Sequence, residues 1–307
     1  MNNLISLVLT RNPGRLKDSI TEALNLIDFK PANSLKTVAI KVNLCYYWKA
    51  STGYTTNPQM VASLIDYIRE SYNSNVEIKV VEADATAMRT KYAFKILGYE
   101  KLAKEKNVEL INLSNDIIEE KSIQVEKRNI TFKVPRLLLK SDLFINMPKL
   151  KLMRATCISC ALKNIFGCIA SPRKIVYHPF LNEAIVGINK ILRPHLTIVD
   201  GLTALGRFPV KLNLVMAGVN PFYVDCVASQ IMGYSPKKVK FLKLATEEGF
   251  GDLAKLEIVG ADIDTFKRKF PHVNKFLFSH SWEWQLRLLK TYSIIVNDVI
   301  PPILETS

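Results

Sequence analysis

The chain has 307 residues, of which 48% are hydrophobic and 23% are charged, and its formal net charge is +14 at neutral pH. This composition is typical of a globular protein with a sizeable core and excludes a chain with too few apolar residues to form a core. Apolar runs stay below the ~18 residues that a membrane-spanning helix needs. The N-terminal stretch has no charged segment before its apolar residues, which argues against a signal peptide. We therefore expect a cytoplasmic protein without a membrane partner.

The first half of the chain alternates apolar strands with amphipathic helices. Strands are predicted at 4–10, 37–44, 76–83 and 108–113, and helices at 15–27, 58–72 and 92–106. Asn57 followed by Pro58 is a favourable helix start, because Asn caps the free N–H groups and Pro suits the first turn. This alternation predicts a mainly parallel sheet with helices on both faces.

Residues 115–135 break the pattern with short alternating segments that are typical of a small antiparallel hairpin. Strands follow at 143–147, 196–200, 212–217 and 256–259, helices at 158–165, 181–192, 222–232 and 239–248, and a helical pattern at 270–300. The predicted fold class is therefore α/β, with a mostly parallel sheet and an antiparallel excursion near 115–135. We expect either one unit over 1–307 or two lobes, 1–115 and 140–307, joined through 115–140.

Much of the positive charge lies in one stretch, residues 133–174, which holds nine Lys or Arg residues and one acid, Asp142. Several of these cations follow the apolar run 143–147, which is predicted to be a buried strand. Burying an unpaired charge is costly, so cations at that position favour an anionic partner. A solvated basic face is the structural alternative.

Polar side chains also follow the predicted carboxyl ends of the other strands, the edge at which open α/β sheets bind ligands. The residues that we predict to bind an anionic substrate are Lys41, Asn43, Lys149, Lys151, Lys163 and Asn164. Polar residues at strand ends are also common simply because loops begin there. The sequence nevertheless predicts that these six side chains lie together.

Acidic residues at the same edge supply the candidates for catalysis. Glu82 and Asp84 follow the third strand, and Asp200 and Asp225 come later in the chain; grouped carboxylates bind divalent cations or transfer protons. His178 is a further candidate for proton transfer. Helix caps and salt bridges are the alternative roles for these acids.

Five scattered cysteines argue against a disulfide framework. Cys157, Cys160 and Cys168 have a spacing that invites comparison with a zinc or iron–sulfur site, but local spacing supplies no fourth ligand. Core packing is the alternative. We do not expect an iron–sulfur cluster.

Several short segments, in order, resemble the domain-of-unknown-function 362 family over residues 38–260. They are Lys41-Val42-Asn43, Thr56-Asn57-Pro58, Glu82, NMPKLK at 146–151, ALKNIFG at 161–167, His178, IVDG at 198–201, and AGVNP at 217–221 with Asp225. The resemblance implies a prokaryotic protein, and it implies no agreed activity. Some members of that family carry an appended module for two [4Fe–4S] clusters, for which this chain has no cysteine run.

Two departures from the family pattern concern the site. Leu152 and Met153 replace the usual Thr-His, and Ser159 replaces the usual threonine. Three functional hypotheses follow. The first is an enzyme acting on an anionic small molecule, the second is a nucleic-acid- or ribosome-binding protein that uses residues 133–174, and the third is an iron–sulfur-linked redox protein. A pocket lined by cations favours the first, and a broad exposed basic surface favours the second.

Overall fold

The computed structural model describes residues 3–30, 35–45, 47–72, 75–86 and 88–270. In these residues the strands are β1 (Leu4–Leu9), β2 (Thr37–Lys41), β3 (Glu77–Glu82), β4 (Glu109–Asn112), β5 (Ile118–Val125), β6 (Arg128–Pro135), β7 (Leu143–Asn146), β8 (Lys149–Met153), β9 (Cys157–Ser159), β10 (Leu196–Leu205), β11 (Pro209–Gly218) and β12 (Glu257–Gly260). The helices are α1 (Leu16–Leu26), α2 (Pro58–Ser71), α3 (Thr90–Ile96), α4 (Tyr99–Lys106), α5 (Arg136–Lys140), α6 (Ala161–Phe166), α7 (Leu181–Ile191), α8 (Pro221–Ile231), α9 (Lys240–Glu247) and α10 (Asp264–Lys267).

Ten of these strands form one mixed, mostly parallel sheet. Its order is β12-β1-β11-β10-β7-β2-β3-β4, and β8 and β9 extend it beside β10. β11 runs antiparallel to both of its neighbours, β1 and β10, whereas β10, β7, β2, β3 and β4 run parallel to one another. The predicted α/β class is confirmed.

Both faces of the sheet are covered. Buried side chains of α1 to α4 form one apolar core with residues such as Val38 and Ile40 of β2, and those of α6 to α10 form the other core. Ala39, which alternates with these two residues along β2, belongs to the second core, as expected for a strand buried on both faces.

The excursion predicted near 115–135 is the antiparallel hairpin β5–β6, which forms a separate two-stranded sheet. The side chains of Val125, Ile130 and Phe132 are buried in the second core, and α7 contacts both hairpin strands. This part of the prediction is confirmed.

α2 begins as the sequence predicts. The Asn57 side chain accepts a hydrogen bond from the Gln59 N–H at 2.9 Å, and Pro58 occupies the first turn. Buried side chains, among them Met60, Leu64 and Ile68, recur at helical spacing and face the first core.

Two predicted helices differ from the structure. The helix expected at 92–106 is divided into α3 and α4, because Gly98 adopts a left-handed conformation with φ of 84°. The helix expected at 158–165 is shorter, because Cys157 to Ser159 form β9 and α6 begins only after Cys160. The helical pattern predicted at 270–300 lies outside the described residues, apart from Phe270.

The sheet changes partners at the point where the site forms. β7 lies between β10 and β2, and after Met147 and Pro148 the chain continues as β8, which pairs with β10 and β9 but not with β2. Proline suits this break because it has no N–H to donate to a ladder. β2 ends at Lys41, on the other side of β7 from β10 and β8.

Candidate functional site

Lysine and asparagine side chains fill the break between β2 and β8. We use the term lysine network for eleven residues that share hydrogen bonds or lie within electrostatic reach of one another: Lys41, Asn43, Cys45, Glu82, Asn146, Lys149, Lys151, Lys163, Asn164, Lys174 and Asp200. All six predicted substrate-binding residues are among them. The structure therefore brings these six together.

Lys41 and Glu82 form a buried ion pair across the ends of β2 and β3. The Lys41 Nζ lies 2.6 Å from the Glu82 Oε1, and both side chains are almost fully enclosed. The same amine donates to the Val42 carbonyl at 2.7 Å, and the Glu82 carboxylate accepts from the Leu44 and Ala83 N–H groups. Such extra hydrogen bonds are what a buried charge needs to be tolerated.

A chain of three amides joins the ends of β2 and β7 to α6. The Asn43 Nδ2 donates to the Asn164 Oδ1 at 2.9 Å, and the Asn164 Nδ2 donates to the Asn146 Oδ1 at 2.8 Å. The Asn146 Nδ2 in turn donates to the Ala161 carbonyl at 3.0 Å. Each amide thus has its oxygen and nitrogen fixed by a neighbour, which makes the network rigid.

Lys149 and Asp200 form a second buried ion pair, between β8 and β10. The Lys149 Nζ lies 2.8 Å from the Asp200 Oδ2, and both side chains are fully enclosed. That oxygen also accepts from the Asn57 N–H at 2.7 Å, and the other accepts from the Leu202 N–H. Burial lowers the pKa of Lys149, and the Asp200 charge opposes this effect.

Lys151 is buried like Lys149, but its partners are an amide, a thiol sulfur and a backbone carbonyl. Its Nζ donates to the Asn43 Oδ1 at 2.5 Å, to the Cys45 Sγ at 3.0 Å and to the Tyr54 carbonyl at 3.1 Å. In the described part of the chain, no carboxylate lies within ion-pair distance of this amine. Its amine is therefore held by three acceptors, none of which is a carboxylate.

Lys163 lies on α6 beside Lys151. Its side chain is partly buried, and among the described residues its amine has neither a hydrogen-bond acceptor nor an ion-pair partner. Burial, followed by the charge of Lys151, lowers the pKa of Lys163 to about 8, while Cys45 acts weakly in the opposite direction. Among the described residues, neither Lys151 nor Lys163 thus has a carboxylate within ion-pair distance.

Lys174 belongs to the network although the sequence did not single it out. It is buried at the start of a helical turn at 174–180, and its Nζ donates to the Asp84 carbonyl. Burial lowers its pKa to about 8, and the charges of Glu82 and Lys41 act in opposite directions. Its position in the basic stretch was the one signal in the sequence that could have identified it. Its contact with Asp84 could not have been predicted from local spacing, because the two residues are ninety positions apart.

The predicted acids do not gather at one point. Glu82 and Asp200 serve different lysines, Asp84 accepts from the Thr90 N–H at the start of α3, and Asp225 accepts from the Ala161 and Leu162 N–H groups. Within the described ranges, no three His, Cys, Asp or Glu side chains form a group that could hold a metal ion. Burial raises the pKa of Asp225 to about 7, against the effect of its two N–H donors.

His178 lies in the turn at 174–180, where its side chain is partly buried. Its role in proton transfer stays a prediction. Cys160 and Cys168 are buried, and burial raises the pKa of both thiols, that of Cys168 to about 12. Raised values are typical of unreactive thiols that fill a core.

Several cations of the basic stretch lie outside the network and are exposed: Lys133, Arg136, Lys140, Arg154 and Arg173. The other four belong to the network: Lys149, Lys151 and Lys174 are buried, and Lys163 is partly buried. Two surface depressions of about 500 Å³ each lie along α1 and at α3–α4, and no residue of the lysine network lines either one.

The family model described as "Domain of unknown function (DUF362)" matches residues 38–230, which contain the whole lysine network. The chain belongs to the DUF362 family. The match begins in β2 and ends in α8, so the two buried ion pairs and the three amides of this DUF362 chain all lie in the family's common region.

A thylakoid-associated protein of Synechocystis sp. is 27% identical over 126 residues, which are 37% of this chain and 39% of that protein. Among solved structures, a Thermotoga maritima protein matches with a TM-score of 0.43 and 14% identity, covering 75% of this chain and 59% of the other. The lactate racemase apoprotein of Thermoanaerobacterium thermosaccharolyticum matches with a TM-score of 0.42 and 13% identity, covering 75% and 57%. No described helix is both long and apolar enough to cross a membrane.

Proposed function

We propose that this DUF362 chain is an enzyme that acts on an anionic small molecule, and that Lys151 and Lys163 bind the anionic group. One observation carries the proposal: these two neighbouring amines have no carboxylate partner in the described structure, whereas Lys41 and Lys149 each have one. An anion placed between the two amines would complete the site.

The charge balance of the network supports the same conclusion. It contains five lysines but only two carboxylates, Glu82 and Asp200, and both carboxylates are already engaged in ion pairs. Two like charges that are partly removed from water repel each other and cost free energy. A bound carboxylate or phosphate would reduce that repulsion and would accept a charge-assisted hydrogen bond from Lys163, which is the strong kind.

The amides give the proposed site its orientation. Asn43 contacts both Lys151 and Asn164, so it links the Lys151 amine, which has no carboxylate partner, to the rigid chain of asparagines. A framework that is already fixed in this way needs little rearrangement when a ligand arrives. In this proposal Glu82 and Asp200 hold Lys41 and Lys149 in place, and neither carboxylate is assigned to proton transfer.

The nucleic-acid hypothesis has less support from the geometry. Binding to a nucleic-acid backbone needs cations that reach phosphates from the surface, but three of the nine cations at 133–174 are buried in the network and a fourth, Lys163, is partly buried. One of the five exposed cations, Arg136, already pairs with Glu119.

The test is to titrate inorganic phosphate, malonate and pyruvate into the wild-type protein and into two variants at constant ionic strength, using calorimetry. Lys163→Met removes one of the unpaired amines, and we expect it to weaken binding at least about tenfold, as the loss of one charged hydrogen bond would. Lys140→Met removes an exposed lysine of the same basic stretch and should change binding less than about twofold.

Equal losses in both variants would mean that the overall charge, and not the network, attracts the anion. Absence of small-anion binding together with salt-resistant binding of duplex or single-stranded nucleic acid that depends on Lys140 would support the nucleic-acid hypothesis instead.

A further inference from the structure

Cys45, which follows β2, has a lysine amine as a close neighbour. Its sulfur lies 3.0 Å from the Lys151 Nζ, which donates a hydrogen bond to it. The other polar atoms around this sulfur, the Asn43 Oδ1 and the Tyr54 carbonyl oxygen, are both 3.9 Å away. Among the described residues, the amine is therefore the closest hydrogen-bond partner of the thiol.

We propose that Cys45 and Lys151 form a modification site, at which oxidation by a peroxide joins the sulfur and the nitrogen through one oxygen atom. The sulfur–oxygen–nitrogen bridge links the segment after β2 to β8, between residues that are 106 positions apart in the chain. This inference goes beyond the proposed function, because it concerns covalent chemistry of the chain itself and needs no bound substrate.

The surroundings of Cys45 are those of a cysteine that peroxides oxidise. Such cysteines are partly exposed and lie in electropositive surroundings. Cys45 is partly exposed, and its sulfur accepts a hydrogen bond from a lysine. Cys160, Cys168 and Cys226 are buried, so an oxidant reaches them less readily.

The geometry of Lys151 favours a bridge over a free oxidised thiol. Its fully buried amine is held by the Asn43 Oδ1 at 2.5 Å and the Tyr54 carbonyl at 3.1 Å, so the nitrogen stays beside the sulfur after the first oxidation. A sulfenic acid is captured by a neighbouring nucleophile. One oxygen atom between nitrogen and sulfur suits their present separation, whereas a direct sulfur–nitrogen bond would pull the amine away from its other two acceptors.

The chemistry balances with hydrogen peroxide as the oxidant. The sulfur attacks one oxygen of a first peroxide, the O–O bond breaks and water leaves, which gives the sulfenic acid. A second peroxide takes two electrons from the nitrogen and leaves as two water molecules, while the nitrogen bonds to the sulfenic oxygen. A thiol, an amine and two peroxides thus give the bridge and three water molecules. Two molecules of dithiothreitol return four electrons and four protons and release the thiol, the amine and one water.

The experiment is to treat the full chain with hydrogen peroxide, block the remaining thiols with iodoacetamide, digest with trypsin and analyse the peptides by mass spectrometry. We expect a cross-linked pair of peptides that contain Cys45 and Lys151. Its mass should exceed the sum of the two unmodified peptides by one oxygen atom less two hydrogen atoms. Trypsin should no longer cleave after Lys151, and treatment with dithiothreitol before digestion should restore both peptides.

Two serine variants test the assignment. Cys45→Ser should give no cross-link, because a serine hydroxyl keeps an acceptor beside the Lys151 amine but does not form a sulfenic acid. Cys157→Ser is the matched control, since it removes the other partly exposed cysteine and should leave the cross-link unchanged. Circular dichroism and the unfolding midpoint establish that each variant is folded.

Several results would overturn the proposal. They are a Cys45 that peroxide leaves unchanged, a Cys45 oxidised to sulfinic or sulfonic acid without a link to Lys151, and links spread over exposed lysines. A cross-link lighter than the two peptides by two hydrogen atoms would show a direct sulfur–nitrogen bond and would contradict the oxygen bridge.

The bridge also removes the positive charge of Lys151, because a nitrogen bonded to oxygen is much less basic than an amine. If Lys151 attracts the anion, as in the proposed function, oxidised protein should bind phosphate more weakly than reduced protein, and dithiothreitol should restore binding. A cross-link without any change in phosphate binding would contradict the part of Lys151 in the anion site and leave the bridge established. Phosphate binding by a chain that forms no bridge would overturn this inference alone.

Discussion

Replacing Asp200 by Asn tests how much the buried ion pair with Lys149 contributes to folding. The substitution keeps the size and shape of the side chain but removes its charge. It leaves the Lys149 ammonium, 2.8 Å away and fully enclosed, without a counter-charge. The Asn57 N–H, which donates to the same carboxylate oxygen at 2.7 Å, also loses an ionised acceptor.

The expected cost is large because both groups are out of water. Removing one partner of a buried ion pair typically costs about 3–5 kcal/mol, mainly because the remaining charge is desolvated and unpaired. The pKa of Lys149 is already lowered by burial, and Asp200 is the main group that opposes this effect. Without Asp200 the pKa should fall further, until the amine is neutral in the folded protein.

The assay is urea denaturation of wild type and variants, followed by circular dichroism. The chain offers a matched control in Lys17 and Glu70, whose charged atoms are 2.7 Å apart but whose side chains are 40% and 62% exposed. Glu70→Gln should lower the free energy of unfolding by less than about 1 kcal/mol, because exposed pairs contribute little. The two pairs differ in burial and in the two backbone N–H groups that donate to Asp200.

A double variant completes the measurement. Lys149→Met combined with Asp200→Asn removes both charges, and its cost should be smaller than the sum of the two single costs by at least about 1 kcal/mol. The reasoning would be refuted if Asp200→Asn cost no more than Glu70→Gln, or if the double variant were additive.

Two further predictions concern neighbouring parts of the network. Gly167→Ala should lower the free energy of unfolding by about 1–3 kcal/mol in the same assay. The added Cβ would lie 2.9 Å from the Asn164 carbonyl oxygen and 3.1 Å from the Lys41 Nζ. A variant as stable as wild type would show that these two groups can move away without cost. Lys174→Met should give a stability difference that depends on pH. The folded pKa of Lys174 is about 8 and its unfolded pKa about 10.4, so the unfolded chain binds more protons between these values. Wild type should therefore gain up to about 1 kcal/mol per pH unit relative to the variant from pH 8 to pH 10, and a flat difference would contradict the assignment.

Much of the fold could be predicted from sequence because the buried face of a helix or strand requires apolar residues at regular spacing. The strand at Thr37–Lys41 and the helix at Pro58–Ser71 were recognisable from apolar spacing, and Asn57 with Pro58 marked the helix start. The six predicted substrate-binding residues, placed after strands or at a helix start, were also predictable as one group, since the carboxyl ends of parallel strands share an edge.

Other features of the fold depend on backbone geometry that apolar spacing does not record. The apolar pattern continues through Gly98, but its left-handed conformation divides the predicted helix. Lys149 and Lys151 were predicted to follow the strand at 143–147, and no further strand was predicted there. They form a strand of their own, β8, because β10 extends past β7 and supplies a second partner.

Only the tertiary structure decided which lysines are neutralised. Lys41, Lys149, Lys151 and Lys163 look alike in sequence, yet two have carboxylate partners and two do not. The nearest carboxylate to Lys149 belongs to Asp200, fifty-one residues away in the chain. Electrostatic energy depends on distance and burial in space, and neither is encoded in the spacing of charges along the sequence.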